Sequence, residues 1–184
     1  MTRIAAALLA GLLVAPAWLA SPAPVAAADD GLRLTTTSTY TLDPAHETVH
    51  VLVAIEATNL EPNRVTATTI TRYVYRELVF AIHPEASRIR ATQGDTRLDV
   101  TTGTRDTYRQ ARVRLAAELG YRETARVRLS YDLPGGAPRS ASEIRVGAAF
   151  ATFYAWAHGD DGRSSVRIVL PATFADRVEG STTQ

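Results

Sequence analysis

Cysteine is absent from the 184 residues, and so is lysine; all 20 basic side chains other than histidine are arginine. Without thiols the chain cannot be a disulfide scaffold or use a cysteine nucleophile, so it must rely on a packed core. Charge of either sign is also short of excess. Setting Arg3 aside, 19 Arg face 19 acidic residues, and a neutral, mixed surface gives no electrostatic case for nucleic acid or an anionic membrane. No G-x-S-x-G elbow marks a serine nucleophile. Beyond residue 28 no apolar run is long enough to cross a membrane as a helix.

The apolar run that does exist lies at the start. A single positive charge, Arg3, precedes Ile4 to Val14, an eleven-residue apolar core. Pro16 and Pro22 interrupt it, and Ala26-Ala27-Ala28 then supplies the small-x-small pattern of a signal-peptidase site. This predicts a signal peptide over 1–28 cut between Ala28 and Asp29, and a secreted or extracytoplasmic protein. The alternative is a retained N-terminal anchor, because Ile4 to Ala28 is uncharged; two prolines and a short apolar core oppose it.

From Asp29 onward the chain reads as strands. Thr35 to Leu42 is threonine-rich and ends at Asp43-Pro44; Thr48 to Asn59 alternates at period two through Val49, Val51, Val53 and Ile55. Tyr73 to Ile82 is stopped by Pro84. Ile89–Thr92 and Arg97–Thr101 pair across Gln93-Gly94-Asp95, where glycine accepts the positive φ of a tight turn. Tyr108–Leu119 and Arg126–Tyr131 set arginines against aliphatics, the half-buried antiparallel pattern. Gln110–Tyr121 tolerates helix and is read as strand plus loop; Leu133–Pro138 is read as loop, and Ser165–Leu170 as the last strand. The fold class expected is all-β: one antiparallel β-sandwich domain over 29–184, with a polar C-terminal tail.

His46-Glu47-Thr48-Val49-His50 spells H-E-x-x-H. On a helix that spacing lets two imidazoles share a Zn²⁺ while the glutamate activates water. Here it opens onto a β-branched run. On a strand His46 and His50 share a face but stand about 13 Å apart, too far for one ion. Thr69 and Ile70 occupy the distance at which a third, glutamate ligand belongs, and Val53 stands where the metzincin extension needs glycine. The motif is read as a coincidence at a strand edge, leaving no catalytic residue, metal or cofactor; a small zinc hydrolase using His46, Glu47 and His50 is the rival reading.

Smaller features follow. His83 and His158 stand alone and are read as loop or rim histidines. Asp160-Asp161 between Gly159 and Gly162 lacks the spacing of a calcium loop and is read as a turn. The aromatic residues, only 7% of the chain, crowd into 150–156. On a strand Phe150, Tyr154 and Trp156 share one face with Phe153 opposite, a candidate row for docking a neighbouring domain or a carbohydrate; sandwich core is the plainer reading.

Three stretches carry a family likeness: Ile89-Arg90-Ala91-Thr92-Gln93-Gly94-Asp95-Thr96-Arg97-Leu98; Val113-Arg114-Leu115 with Arg126-Val127-Arg128-Leu129-Ser130-Tyr131; and Ser165-Val166-Arg167-Ile168-Val169-Leu170-Pro171. In this order they resemble the N-terminal β-sandwich, or saddle, domain of gluzincin aminopeptidases and related secreted bacterial peptidases, over roughly 31–184. The resemblance implies a catalytic domain, with its Gly-x-Met-Glu-Asn motif and zinc site, beyond residue 184. The acidic D-E-P segment of that family is missing; Trp156 to Asp161 stands in its place. No catalytic or ligand residue carries over. The resemblance therefore implies a stand-alone or truncated saddle domain without peptidase activity, acting in docking or scaffolding. Its expected partner is a peptidase catalytic domain or another exported protein.

Overall fold

The computed structural model describes residues 31–160, 162–172 and 174. The expected signal peptide and its Ala28–Asp29 junction, Asp161 and most of the polar tail lie outside the described residues. Thirteen strands follow one another: β1 (Leu32–Asp43), β2 (Thr48–Asn59), β3 (Arg64–Val65), β4 (Ile70–Thr71), β5 (Tyr75–Ile82), β6 (Ser87–Gln93) and β7 (Thr96–Leu98). They continue with β8 (Val100–Thr104), β9 (Arg109–Leu119), β10 (Thr124–Pro134), β11 (Arg145–Val146), β12 (Ala151–Thr152) and β13 (Ser164–Val169). The all-β expectation holds, and so does the strand reading of 110–119. Leu133 and Pro134, read as loop, instead complete β10.

Two sheets face each other. The larger runs β13-β1-β2-β10-β6-β7 and the smaller β5-β9-β8; β3-β4 and β11-β12 are separate hairpins. Every pairing is antiparallel except β1 with β13. Alternation explains the layering. In β2 the side chains Val49, Val51, Val53, Ile55 and Ala57 point inward and are buried, while His50, Leu52, Ala54 and Glu56 face out. β10 repeats this with Ala125, Val127, Leu129, Tyr131 and Leu133. Leu78, Phe80 and Ile82 of β5 and Ala111, Val113 and Leu115 of β9 close the core from the smaller sheet.

The β1–β2 connection fixes the H-E-x-x-H residues. The Asp43 carboxylate caps a 3-10 turn at Pro44–His46 by accepting the His46 N–H, and Glu47 sits left-handed at φ 49° to turn the chain into β2. Asn59, fully buried, ends β2: its amide donates to the Tyr73 and Leu119 carbonyls at 2.9 Å each, and its oxygen accepts the Glu61 N–H at 2.8 Å. This ties the larger sheet to the ends of β5 and β9. In the β6–β7 hairpin Gly94 adopts φ +58° with open space around it, as the turn chemistry requires.

The smaller sheet has three strands against six, so it leaves part of the larger one uncovered. Residues 153–158 cross that gap without regular structure. Phe153 stacks on Tyr40 at 5.9 Å between ring centroids, and the Trp156 N–H donates to the Tyr40 hydroxyl at 2.8 Å. The aromatic stretch 150–156, weighed above as a strand, is regular only at Ala151–Thr152. Glycine-bearing Arg145–Thr152 folds as a two-residue-per-strand hairpin, and the rest is pinned to β1 as a strap.

Candidate functional site

His46, in the 3-10 turn, and His50, on the outer face of β2, do not diverge along one strand. The expected separation is corrected by the turn, which folds His46 back. His46 Nδ1 lies 2.7 Å from Asp43 Oδ2, and His50 Nε2 lies 3.4 Å from the same oxygen. The other nitrogen of His50, Nδ1, lies 2.7 Å from Asp132 Oδ1. The second Asp132 oxygen pairs with Arg88. Arg88 has φ 51° and sits where the β6–β10 register shifts, so the bulge aims its guanidinium across at Asp132.

The electrostatics follow from these contacts. The hydrogen bond from His46 holds the Asp43 carboxyl below its ordinary value. The Asp132 hydrogen bond raises His50, with Asp43 assisting and partial burial opposing. A doubly protonated His50 serves both carboxylates at once, which is the physical reason for the rise. Zinc tests poorly against this donor set. Asp43 Oδ2 occupies the place between the imidazoles where an ion would sit, and both His50 nitrogens are already engaged. Among the described residues no group of three or more His, Asp or Glu is arranged to hold a metal. Glu47 is exposed on the left-handed corner, and its carbonyl, not its carboxylate, is fastened: it accepts the Gly135 N–H at 2.7 Å. A Cβ at Gly135 would stand 2.9 Å from that carbonyl oxygen, so glycine permits the approach.

The cluster borders a surface depression of about 340 Å³ lined by Thr41, Leu52, Arg90, Ser130 and the His50–Asp132–Arg88 group. A second, of about 470 Å³, opens on the same outer face around Thr35, Thr37, Ala54, Arg126 and Arg128.

The other candidates separate. Phe150, at the β11–β12 tip, is 61% exposed and Tyr154 52%, whereas Trp156 is half-buried with its ring 5.8 Å from His83. The three do not form one row. Asp160 accepts the Leu34 N–H at 2.8 Å through its carboxylate, so that oxygen serves a turn. His83 is buried; burial lowers it, and its Nδ1 accepts the Glu85 N–H at 3.2 Å.

His158, in the irregular segment 153–158, is a loop histidine as expected, but it is buried. Its Nδ1 meets Ser38 Oγ at 2.9 Å and its Nε2 meets the Tyr131 hydroxyl at 3.4 Å. Tyr131 also hydrogen-bonds Tyr40, whose hydroxyl donates to the Trp156 carbonyl at 3.1 Å. Donor counting orients the chain. Tyr40 spends its proton on the Trp156 carbonyl, so Tyr131 donates to Tyr40, while the roles of the two His158 nitrogens toward Ser38 and Tyr131 follow the tautomer. Burial lowers His158 to about 4, with the Trp156 carbonyl opposing. A Ser–His pair sealed from solvent fastens the strap and reaches no substrate. Its only sequence signal was a serine and two tyrosines on the inward phase of β1 and β10.

No protein-family model matches the chain, and no curated protein matches it. Among solved structures it is similar to the M1 zinc metallopeptidase of Deinococcus radiodurans, at 18% identity over 77% of this chain and 33% of that chain, with a TM-score of 0.46. A mutant of that enzyme bound to a Tyr-Ser-Ala substrate gives 17% identity, 77% and 33% coverage and 0.46. Another crystal structure of the mutant gives 17%, 64% and 24%, and 0.40. The chain spans about a third of the length of these enzymes or less. They belong to the peptidase class that the sequence resembles.

Proposed function

We propose that the chain is an exported, non-catalytic β-sandwich of the peptidase N-terminal type that works by docking against a peptidase catalytic domain. The observation that carries this reading is the uncovered inner flank of the larger sheet. Val166 and Ile168 of β13 pair with Ser38 and Tyr40, two inward-facing and buried positions of β1. Both aliphatics nonetheless remain 41% exposed. Inward-facing aliphatics left this open form a surface of the kind that interfaces cover. The leader over 1–28 supports export.

The test is direct association with the catalytic domain of an M1-type peptidase from the same genome, prepared without its own N-terminal domain, followed by analytical ultracentrifugation. A complex is expected, and Val166→Glu with Ile168→Glu should weaken it about tenfold or more. An unchanged complex in that variant, or none with the parent chain, sinks the docking reading.

One observation favours a second reading. Both imidazoles of the H-E-x-x-H stretch approach a common carboxylate oxygen, as a zinc hydrolase would need if Asp43 turned aside. Metal analysis separates the two. Substoichiometric zinc is expected; one equivalent lost on His50→Ala would establish the metal site instead.

A further inference from the structure

Neutral overall, the chain sorts its charges in space. The outer face of the larger sheet bears Asp43, Glu56 and Asp132 along its strands, and each is already engaged: Asp43 by the two histidines, Glu56 by Arg126 at 3.0 Å, Asp132 by Arg88 and His50. Register places Arg33, Arg90, Arg97, Arg128 and Arg167 on that same face. None of these five has an ion-pair partner among the described residues. With Arg88 and Arg126 included, seven arginines meet three carboxylates on this face, an excess of about four positive charges.

Their arrangement is a trough. One row across the sheet reads Arg90, Ser130, Leu52, Thr39, Arg167; the next reads Arg97, Thr92, Arg128, Ala54, Thr37, Ser165. Arg90 and Arg167 are four strand spacings apart, about 19 Å. Between them in the first row stand Ser130, Leu52 and Thr39, with Leu52 44% exposed, while Arg128 rises from the middle of the second row. The two depressions of about 340 and 470 Å³ open along this floor. An α-helix with its side chains is about 10–12 Å across, so one fits between the arginine walls. An apolar centre inside an arginine rim is how protein interfaces are commonly built.

We infer that this trough docks an acidic amphipathic helix of the partner protein, apolar side on Leu52 and carboxylates against Arg90, Arg128 and Arg167. The inference rests on the docking reading and adds a second contact, on the opposite face from Val166 and Ile168. Guanidinium forks match carboxylates in pairs, which sets the partner's charge and the helix's orientation.

The probe is a fluorescein-labelled peptide of about 18 residues, five helical turns, with leucine along one stripe and glutamate elsewhere. Titrated with the full chain and followed by anisotropy, it should bind at low salt and weaken about tenfold or more near 0.5 M salt. Arg90→Glu, Arg128→Glu and Arg167→Glu together should weaken it about tenfold or more, and so should the milder Arg→Gln set if the reversals impair folding. Arg64→Glu, Arg72→Glu and Arg114→Glu, away from this face, should leave it unchanged. Leu52→Asp should weaken it as well. Equal loss in the control triple, equal binding of polyglutamate without leucine, or tighter binding of a polyuronate would each overturn the helix assignment. The Val166→Glu, Ile168→Glu variant keeps the two readings apart. If it abolishes the catalytic-domain complex while the peptide fails to bind, docking stands and the trough does not.

Discussion

A single imidazole, His158, sets the acid stability of the strap. Its folded value is about 4 against 6.5 for the free side chain. Between those values the unfolded chain takes up a proton that the folded one refuses. Stability from this group is therefore complete above pH 6.5 and declines as pH falls towards 4, by about 3 kcal/mol at most. His83, also lowered by burial, acts in the same direction. His50 acts oppositely, since its value is raised and its contribution fades as pH rises; half exposed, it contributes little. Denaturant melts from pH 7 to pH 4 should show the decline, and His158→Gln should flatten most of it while costing stability at pH 7. A His158→Gln protein with the parental pH slope would remove His158 as its source. Isolated in sequence, this residue gave no sign of burial. Its partners Ser38 and Tyr131 lie 120 and 27 positions away and meet it only through strand pairing.

Strands differ in how firmly they are held, and β13 is the exposed extreme. It is paired on one side only, to β1 and in parallel, with five of its six residues, 165 to 169, open to solvent. β2 and β10 are paired on both sides and bury every second residue. Native-state hydrogen exchange should find the β13 amides protected far less than those of β2 and β10, because edge pairing opens without disturbing the core. Protection of β13 equal to that of β2 in the isolated chain would mean that its edge is already covered, and would undo the docking surface. At this scale the sequence was most readable. Period-two alternation located β2 over Thr48–Asn59, and Pro84 and Gly94 marked the ends that the structure shows. The aromatic stretch misled because its residues are apolar on both phases; hydrogen bonding to Tyr40, not periodicity, decides its path.

Across the whole molecule the strap joins the two halves of the core. Tyr40 stacks on Phe153 and bonds the Trp156 backbone, while the Trp156 ring stands against His83 beyond the end of β5. Trp156 is the one tryptophan among the described residues, so with Trp18 replaced by phenylalanine its fluorescence reports the strap alone. Fluorescence and far-ultraviolet circular dichroism should trace the same denaturation curve, as a two-state domain requires. An earlier fluorescence transition would show the strap detaching from a sandwich that stands without it.

Local chemistry determined the strands, their inward residues and the turns at Asp43-Pro44 and Gly94, because alternation and allowed φ are properties of neighbouring residues. It also supplied the leader-like start and the peptidase-type likeness. Only the tertiary structure decided what depends on distant residues meeting. A 3-10 turn brought His46 and His50 onto Asp43, His158 was buried against β1 and β10, and a charge-balanced chain was sorted into an arginine-lined trough. Composition counts charges without regard to position; strand register assigns each one to a face.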